Sequence, residues 1–338
     1  MAAQDVAMFA FIASALQTAK LQSVMLSHVI DMPPCYVLDA ELQHARDWCP
    51  PAVLDEVSRN PSATKQQSQL AEVWYDTKLH QLHANGALSA REQLLLDAYS
   101  QPHASAWLLA LPIPGLGQTM DAVLYRAVLR YRLLMPIYSA DDRWCPLCKK
   151  PDVLDPWGDH AVACVYAPSF TDRHNLVRDA LVELCRGCGV RAYPEHNVGC
   201  LGETHRGGVV KLRPADVFLP NWSAGRGACL DVTGVSIIAH SHLAAGGAAT
   251  HAATQKIVKH ADSCSRAGFD FIPFAFDTAG HLATDAVAVL RRLQMAWASS
   301  QVVRDDVANN FVLRKIGFTV MKGIAKQLVG RLRDGDPM

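Results

Sequence analysis

The chain has 338 residues and a formal net charge of zero; half of its residues are apolar and 19% are charged. This composition predicts globular domains with a buried core, and the length suits two or three of them. No run of about 18 uninterrupted apolar residues occurs, which argues against a membrane-spanning helix and a membrane partner. The ten cysteines are scattered, so they indicate a reducing, intracellular compartment, not a small disulfide-bonded secreted protein.

The first part of the chain is predicted to be helical. Residues 1–100 form a helical N-terminal region, interrupted by a proline-rich and polar connection at 47–67. Residues 101–140 form a helical linker. Within it, apolar residues recur at helical spacing over 119–134, which predicts an amphipathic helix.

Four potential zinc ligands follow within residues 141–170, in the stretch WCPLCKKPDVLDPWGDHAVAC. They have the form CxxC-x11-HxxxC and are Cys145, Cys148, His160 and Cys164. A CxxC turn lets two thiolates reach one ion, and HxxxC places two ligands on one face of a helical turn. The set predicts a closed, structural Zn²⁺ site in which Asp159 orients the histidine. The alternative is a group of buried free cysteines beside a surface histidine.

From residue 171 onward, predicted helices and strands alternate. They are a helix at 173–189, strands at 190–198, 211–219 and 228–238, a helix at 253–268, a strand at 269–277 and a helix at 281–300. The order α-β-β-β-α-β, followed by a further helix, predicts an α/β layer fold with a central mixed sheet. Arg173-His174-Asn175 opens the first helix, where it either contacts a phosphate or forms a capping network.

Two predicted strands each carry one aspartate, Asp216 in KLRPADVFL and Asp231 in ACLDVTGVSII. Aspartate is rare in strands, and carboxylates on adjacent strands of a hairpin can approach closely enough to hold a hard cation such as Mg²⁺. Glu195, at the end of the preceding strand, is placed to supply a third oxygen. Lys256 and Lys259 lie one turn apart on the following helix. The alternative is that all of these are ordinary surface charges.

The end of the chain, residues 301–338, is predicted to be a basic helical tail. Residues 307–333 contain no acids and six basic residues, which are Arg314, Lys315, Lys322, Lys326, Arg331 and Arg333. Such a helix suits a polyanionic partner. The alternative is a solvated helix face.

Together these motifs resemble the C-terminal region of early-branching non-LTR retrotransposon proteins. The resemblance rests on CxxC…GDHAVAC, RHNLVRDAL, RPADVFL, LDVT, the K-xx-KH helix and FIPFAFDTAG, and spans roughly residues 100–300. It implies a CCHC zinc knuckle at 141–170 and, at 171–300, an endonuclease domain of the restriction-enzyme-like PD-(D/E)XK fold with the α-β-β-β-α-β core. It also implies a Mg²⁺-dependent nuclease that nicks chromosomal DNA, with DNA and the element RNA as partners and a nuclear location.

Carried over by position, the resemblance makes Asp216 and Asp231 the two metal-binding carboxylates. Thr233 stands where the PD-(D/E)XK motif has its lysine, and one alanine separates the proline of RPAD from its aspartate. Because members of the family place the functional lysine on the following helix, Lys256 is the first candidate for it and Lys259 the second.

A reverse transcriptase domain is not evident in the chain. YSADD at 138–142 resembles the metal-binding box of polymerases, but it lacks the apolar hairpin strands that flank such a box. Two alternatives to an active nuclease remain: a catalytically inactive, zinc-containing nucleic-acid-binding relic, and a zinc-stabilised interaction protein.

Overall fold

A computed structural model describes most of the second half of the chain and parts of the first. The described residues are 46, 49–52, 54–55, 66–84, 86, 88–166, 168–195, 202–205, 208–211, 215–238, 247–301, 305–333 and 336. The chain divides into two compact units, Met1–Ala90 and Arg91–Met338. Helix α1 (Gln66–Ala84) belongs to the first unit, and the helices predicted before residue 46 lie outside the described residues. None of the helices in the described ranges is both long enough and apolar enough to cross a bilayer.

The second unit contains the remaining elements. Its helices are α2 (Ala90–Tyr99), α3 (Ala122–Arg132), α4 (Asp159–Ala163), α5 (Pro168–Gly187), α6 (Gly247–Arg266), α7 (Thr284–Gln301) and α8 (Asp305–Val329). Its strands are β1 (Tyr193–Pro194), β2 (Gly202–His205), β3 (Gly208–Lys211), β4 (Val217–Ser223), β5 (Arg226–Val235) and β6 (Asp270–Asp277). Single 3₁₀ turns occur at Ala106–Leu109 and Pro114–Leu116.

A four-stranded mixed sheet lies at the centre of this unit, in the order β1-β4-β5-β6. Strand β4 runs antiparallel to both β1 and β5, while β5 and β6 are parallel and are joined through α6. Successive side chains of a strand point to opposite faces, so Leu230 and Val232 of β5 join the main core with α5, α7 and α8. Cys229 and Asp231 point to the other face, which α6 covers. The prediction of a mixed α/β fold with a central sheet is confirmed.

Details of the sheet differ from the prediction: the strand expected over 211–219 is β4 (Val217–Ser223), and Lys211 belongs to β3. Strand β1 contains only Tyr193 and Pro194, whereas a strand over 190–198 was expected. The glycine-rich link after it contains the hairpin β2–β3, in which Gly202 pairs with Lys211. This hairpin is short and rich in glycine, so it lacks the alternating apolar pattern from which strands are predicted.

The predicted basic tail is a core helix. Helix α8 buries an apolar residue every fourth position, at Val312, Ile316, Val320, Ile324 and Leu328, and it packs on α3, α5 and α7. Apolar residues at this spacing form a continuous stripe along a helix, which explains the burial. The helix is therefore present as expected, but it is neither a free basic arm nor a solvated face.

Two of the six basic residues of this segment, Lys315 and Arg331, are buried. Lys315 is buried, and its Nζ lies 2.7 Å from Oε1 of Glu183 on α5. Arg331, just after α8, is also buried. Helix α8 approaches α5 closely at Gly323, where an added Cβ would lie 2.6 Å from Cγ of Arg173. Glycine at this position allows the two helices to touch.

Candidate metal sites

The four predicted zinc ligands converge. The Sγ atoms of the three cysteines and a ring nitrogen of His160 all lie within 4.8 Å of one another. The Sγ atom of Cys148 lies 3.5 Å from Nε2 of His160. Ligand atoms of a tetrahedral zinc site are about 3.5–4 Å apart, so this cluster of Cys145, Cys148, His160 and Cys164, called here the Cys3His cluster, fits a zinc ion.

Local backbone geometry assembles the Cys3His cluster. The CxxC turn is closed by hydrogen bonds from Lys149 N to Cys145 O (2.9 Å) and from Cys145 N to Lys150 O (3.1 Å). Helix α4 carries His160, and its last turn brings in Cys164, whose N–H donates to His160 O at 2.9 Å. The two ligand pairs therefore come from a turn and from a helix end, as the spacing predicted.

Asp155, not Asp159, supports the histidine. Its Oδ2 accepts a 2.7 Å hydrogen bond from the backbone N of His160, and its Oδ1 accepts one of 3.0 Å from Asp159 N. It thereby satisfies free N–H groups at the start of α4. The Asp159 carboxylate forms a bidentate pair with Arg91, with Nη2 at 2.7 Å from Oδ1 and Nε on Oδ2. The prediction that Asp159 orients His160 is therefore wrong.

The environment acts on two thiols of the cluster in opposite directions: burial and the neighbouring Cys145 raise the pKa of Cys148. Burial acts against ionisation of Cys145, but N–H groups of Cys148 and Leu147 and the Arg331 side chain outweigh it and lower the pKa of this thiol to about 6. Zinc binds thiolates, so a depressed pKa favours metal binding. Burial raises the pKa of Cys185 on α5 to about 12, which fits its place in the core. Among the described residues, only the Cys3His cluster gathers three or more histidine, cysteine or carboxylate ligand atoms.

The predicted carboxylates lie on neighbouring segments of the sheet. Asp231 projects from β5 towards α6 and is 4% exposed. Asp216 directly precedes β4, and its Oδ2 accepts a 2.7 Å hydrogen bond from the backbone N of Val232. The Asp216 side chain is thereby held against β5, one residue from Asp231.

Lys256 reaches this site from α6. Its Nζ lies 2.9 Å from both Oδ1 and Oδ2 of Asp231. Lys259 is exposed on the same helix. Thr233, in the position where the resemblance expects lysine, donates its hydroxyl to Asp231 Oδ1 at 3.2 Å. The structure thus brings together Asp231, Lys256 and Thr233, and it leaves Lys259 on the surface.

Glu195 is not part of this group. Its side chain is 70% exposed and pairs with Arg178 of α5. Only its backbone contacts the site region, through a 2.8 Å hydrogen bond from Glu195 N to Asp216 O. The residue has a positive φ of 47°, so a turn directs the side chain away from the strand on which the prediction placed it.

Two histidines that sequence reasoning did not assign to the site stand beside the carboxylates. His174 of α5 has Nε2 at 3.4 Å from Asp216 Oδ1, and His260 of α6 has Nε2 at 3.7 Å from Asp231 Oδ2. His260 follows Lys256 by four residues, the spacing that places two side chains on one helix face. That spacing could have identified His260 as a site residue from the sequence. His174 could not be identified in this way, because its position depends on how α5 packs against the sheet.

Arg173, the neighbour of His174, has a structural role. Its side chain is 2% exposed, and burial lowers its pKa to about 10. Its guanidinium donates to Val162 O and Gly234 O, each at 3.4 Å, and lies over the Phe276 ring. The residue ties α5 to β5 and to the end of α4, and it is not available to bind phosphate.

The carboxylate group fits a hard cation in its chemistry but supplies only part of a coordination shell. Carboxylate oxygens are preferred ligands of Mg²⁺, which commonly takes one or two carboxylates and fills its remaining positions with water and phosphate oxygens. Asp216 and Asp231 provide such a pair. Lys256 would have to leave at least one oxygen of Asp231 for a cation to bind there. Neither a protein-family model, nor a curated protein, nor a solved structure matches this chain significantly.

Proposed function

We propose that this protein is a Mg²⁺-dependent DNA endonuclease that nicks one strand of its target and is stabilised by a zinc ion in the Cys3His cluster. The observation that carries the proposal is the contact of Lys256 with both oxygens of Asp231, beside Asp216. The contact joins the hairpin carboxylates to a lysine on the next helix, which is the arrangement that the resemblance to retrotransposon endonucleases implies.

In this proposal, Asp216 and Asp231 hold the cation. When bound, Mg²⁺ would polarise the scissile phosphate and lower the pKa of the attacking water. The hydrogen bond from Val232 N keeps the Asp216 carboxylate against β5, one residue from Asp231. Preorganisation of this kind lowers the cost of binding both the cation and the phosphate.

Lys256 would supply positive charge at the scissile phosphate. Its side chain is 30% exposed, so the ammonium group has room to move from Asp231 towards a bound phosphate. There it would stabilise the negative charge that develops in the transition state. Thr233 does not carry a charge, and its bond to Asp231 orients the carboxylate.

The proposed zinc ion has a structural role. The Cys3His cluster offers four protein ligands, which complete a tetrahedral shell and leave no position for water or substrate. The cluster lies next to the main core, because Leu154, Ala161 and Val162 from its surroundings are buried there. Zinc would therefore stabilise the fold without taking part in hydrolysis.

A second candidate function is that of a nucleic-acid-binding relic without hydrolysis. Two features of the carboxylate site favour it. Glu195 points away and pairs with Arg178, so two carboxylates remain. The Asp231–Lys256 pair also suffices as a structural ion pair between α6 and the sheet. In that case the lysine stays on Asp231 and no cation binds.

A plasmid-nicking assay with Mg²⁺ tests the proposal. Wild type should convert supercoiled plasmid to the open circular form, and Asp231→Asn should lower the rate by about 100-fold or more. Asp262→Asn is the matched control, because Asp262 lies on α6, is 83% exposed and pairs with the exposed Arg266. Equal nicking by wild type and Asp231→Asn would refute the mechanism.

A DNA-binding measurement at several salt concentrations, together with the nicking assay, distinguishes the two alternative functions. Salt-dependent DNA binding without Mg²⁺-dependent nicking would select the relic. Neither binding nor nicking, with one zinc per chain, would select a zinc-stabilised interaction protein.

A further inference from the structure

A cavity of about 620 Å³ lies at the carboxyl-terminal end of α5. It is bounded by the second half of this helix, the end of α7, the start of α8 and the 3₁₀ turn at Pro114–Leu116. Small-molecule sites in proteins have volumes of about 300–1,000 Å³, so the cavity has the size of a ligand site. Among the described residues that line it, none belongs to the carboxylate site or to the Cys3His cluster.

Apolar side chains form most of the cavity wall. Trp297 of α7 and Phe311 of α8 both line it, with their ring centres 5.0 Å apart and their planes within 18° of parallel. Leu116 and Val182 add aliphatic surface. A wall that contains stacked aromatic rings favours a flat apolar ligand, which gains free energy by burying its surface and packing against the rings.

One buried cation interrupts this apolar wall. The side chain of Lys315 on α8 lines the cavity and is 5% exposed. Its Nζ lies 2.7 Å from Oε1 of Glu183 on α5, its single acidic partner within the described part of the chain. An ammonium group has three N–H donors, so Lys315 has donors left for a ligand that enters the cavity.

The contact between Lys315 and Glu183 can be exchanged. Glu183 is 61% exposed, so its carboxylate can turn to water when it leaves the ammonium group. The other charged groups of the wall are bonded elsewhere: Asp179 pairs with Arg178, and Arg186 donates to a backbone carbonyl at 3.0 Å. Lys315 is therefore the group that an anionic ligand would engage.

We infer that this cavity binds a small aromatic acid, whose anionic group pairs with Lys315 and whose rings pack on Trp297 and Phe311. The argument is one of charge and shape, because a buried cation in an otherwise apolar wall selects a molecule with one anionic group on a flat apolar body. Glu183 then competes with the ligand for Lys315. The inference goes beyond the proposed nuclease and depends on neither of its metal sites.

Fluorescence titration of the full-length protein with two related probes tests the site. Anilinonaphthalene sulfonate carries an anionic group, and phenylnaphthylamine has the same rings without it. Lys315→Met should weaken binding of the sulfonate probe about 10- to 100-fold, which is the contribution of hydrogen bonds to a charged group. Binding of the neutral probe should change less than about threefold.

Glu183→Gln should have the opposite effect. It removes the competing carboxylate from Lys315, so the sulfonate probe should bind about two- to fivefold more tightly, the range expected for an exposed ion pair. Phe311→Ala should weaken binding of both probes, because both use the apolar wall. The matched control is Lys326→Met, about three turns further along α8 and outside the cavity, which should leave both affinities unchanged within about twofold.

Three results would overturn the inference. They are no saturable binding of the sulfonate probe by the wild type, an equal loss of both probes in Lys315→Met, and unchanged or weaker binding of the sulfonate probe by Glu183→Gln. Because Glu183 is exposed, Glu183→Gln should fold normally, so it decides the question even where Lys315→Met is unstable.

Discussion

Replacing Lys256 with methionine tests the central ion pair of the carboxylate site. Asp231 is 4% exposed, and both of its carboxylate oxygens lie 2.9 Å from Lys256 Nζ. Exposed ion pairs contribute about 0.2–1 kcal/mol, whereas removal of one partner from a fully buried pair costs about 3–5 kcal/mol. Because Lys256 is 30% exposed, we expect Lys256→Met to lower the free energy of unfolding by about 2 kcal/mol, between these limits.

Urea unfolding followed by circular dichroism at constant pH and salt measures this loss. If the loss comes from an unpaired carboxylate, adding Asp231→Asn to Lys256→Met should restore about 1 kcal/mol or more, because it removes the stranded charge. Lys259→Met, on the exposed side of α6, should change the stability by less than about 0.5 kcal/mol. The reasoning is refuted if Lys256→Met unfolds at the wild-type urea concentration, or if Asp231→Asn restores nothing.

Three further changes follow from particular contacts. Burial raises the pKa of Asp277 to about 7, so the unfolded state loses this proton at a lower pH than the folded state, and stability should fall as pH rises from about 4 to 7. Asp277→Asn should remove that part of the pH dependence in denaturation curves; an unchanged pH profile would contradict the assignment. Gly323→Ala should lower stability by about 1–3 kcal/mol in thermal melts, because its Cβ would lie 2.6 Å from Cγ of Arg173. Gly187→Ala, which meets no atom within 4 Å, is the neutral control, and similar melts for both alanine variants would argue against close helix packing. Cys164→Ser should release zinc in metal analysis and lower the melting temperature, whereas retained zinc would remove Cys164 from the ligand set.

The sequence was sufficient to find candidate site residues whose positions depend on a short stretch of chain. The spacing of the cysteines and of His160 is set by one turn and one short helix, so it could be recognised without the fold. The aspartates could be found in the same way, because each interrupts an apolar strand. Lys256 was a candidate because it lies on the helix that follows these strands, where the resemblance places the functional lysine.

Features that depend on how distant segments pack were not predictable. Asp155 and Asp159 are both close to His160 in sequence, and only the position of Arg91 determines that Asp159 pairs elsewhere. Glu195 lies in a turn with positive φ, and its side chain pairs with Arg178 of α5. The basic residues after position 307 suggested a free tail, but a charge count does not reveal that Lys315 and Arg331 are buried.

The position of helix α8 determines which parts of the protein unfold together. It contacts Arg173 in the layer beside the sheet through Gly323, and its Leu328 lies against the turn at Gly158 that precedes His160. Side chains from both regions belong to one continuous core. The segment that carries the Cys3His cluster is therefore not an independent module that can unfold while the rest of this core stays folded. Damage at either end of α8, whether by truncation or by disruption of the Cys3His cluster, should therefore lower the amount of folded protein.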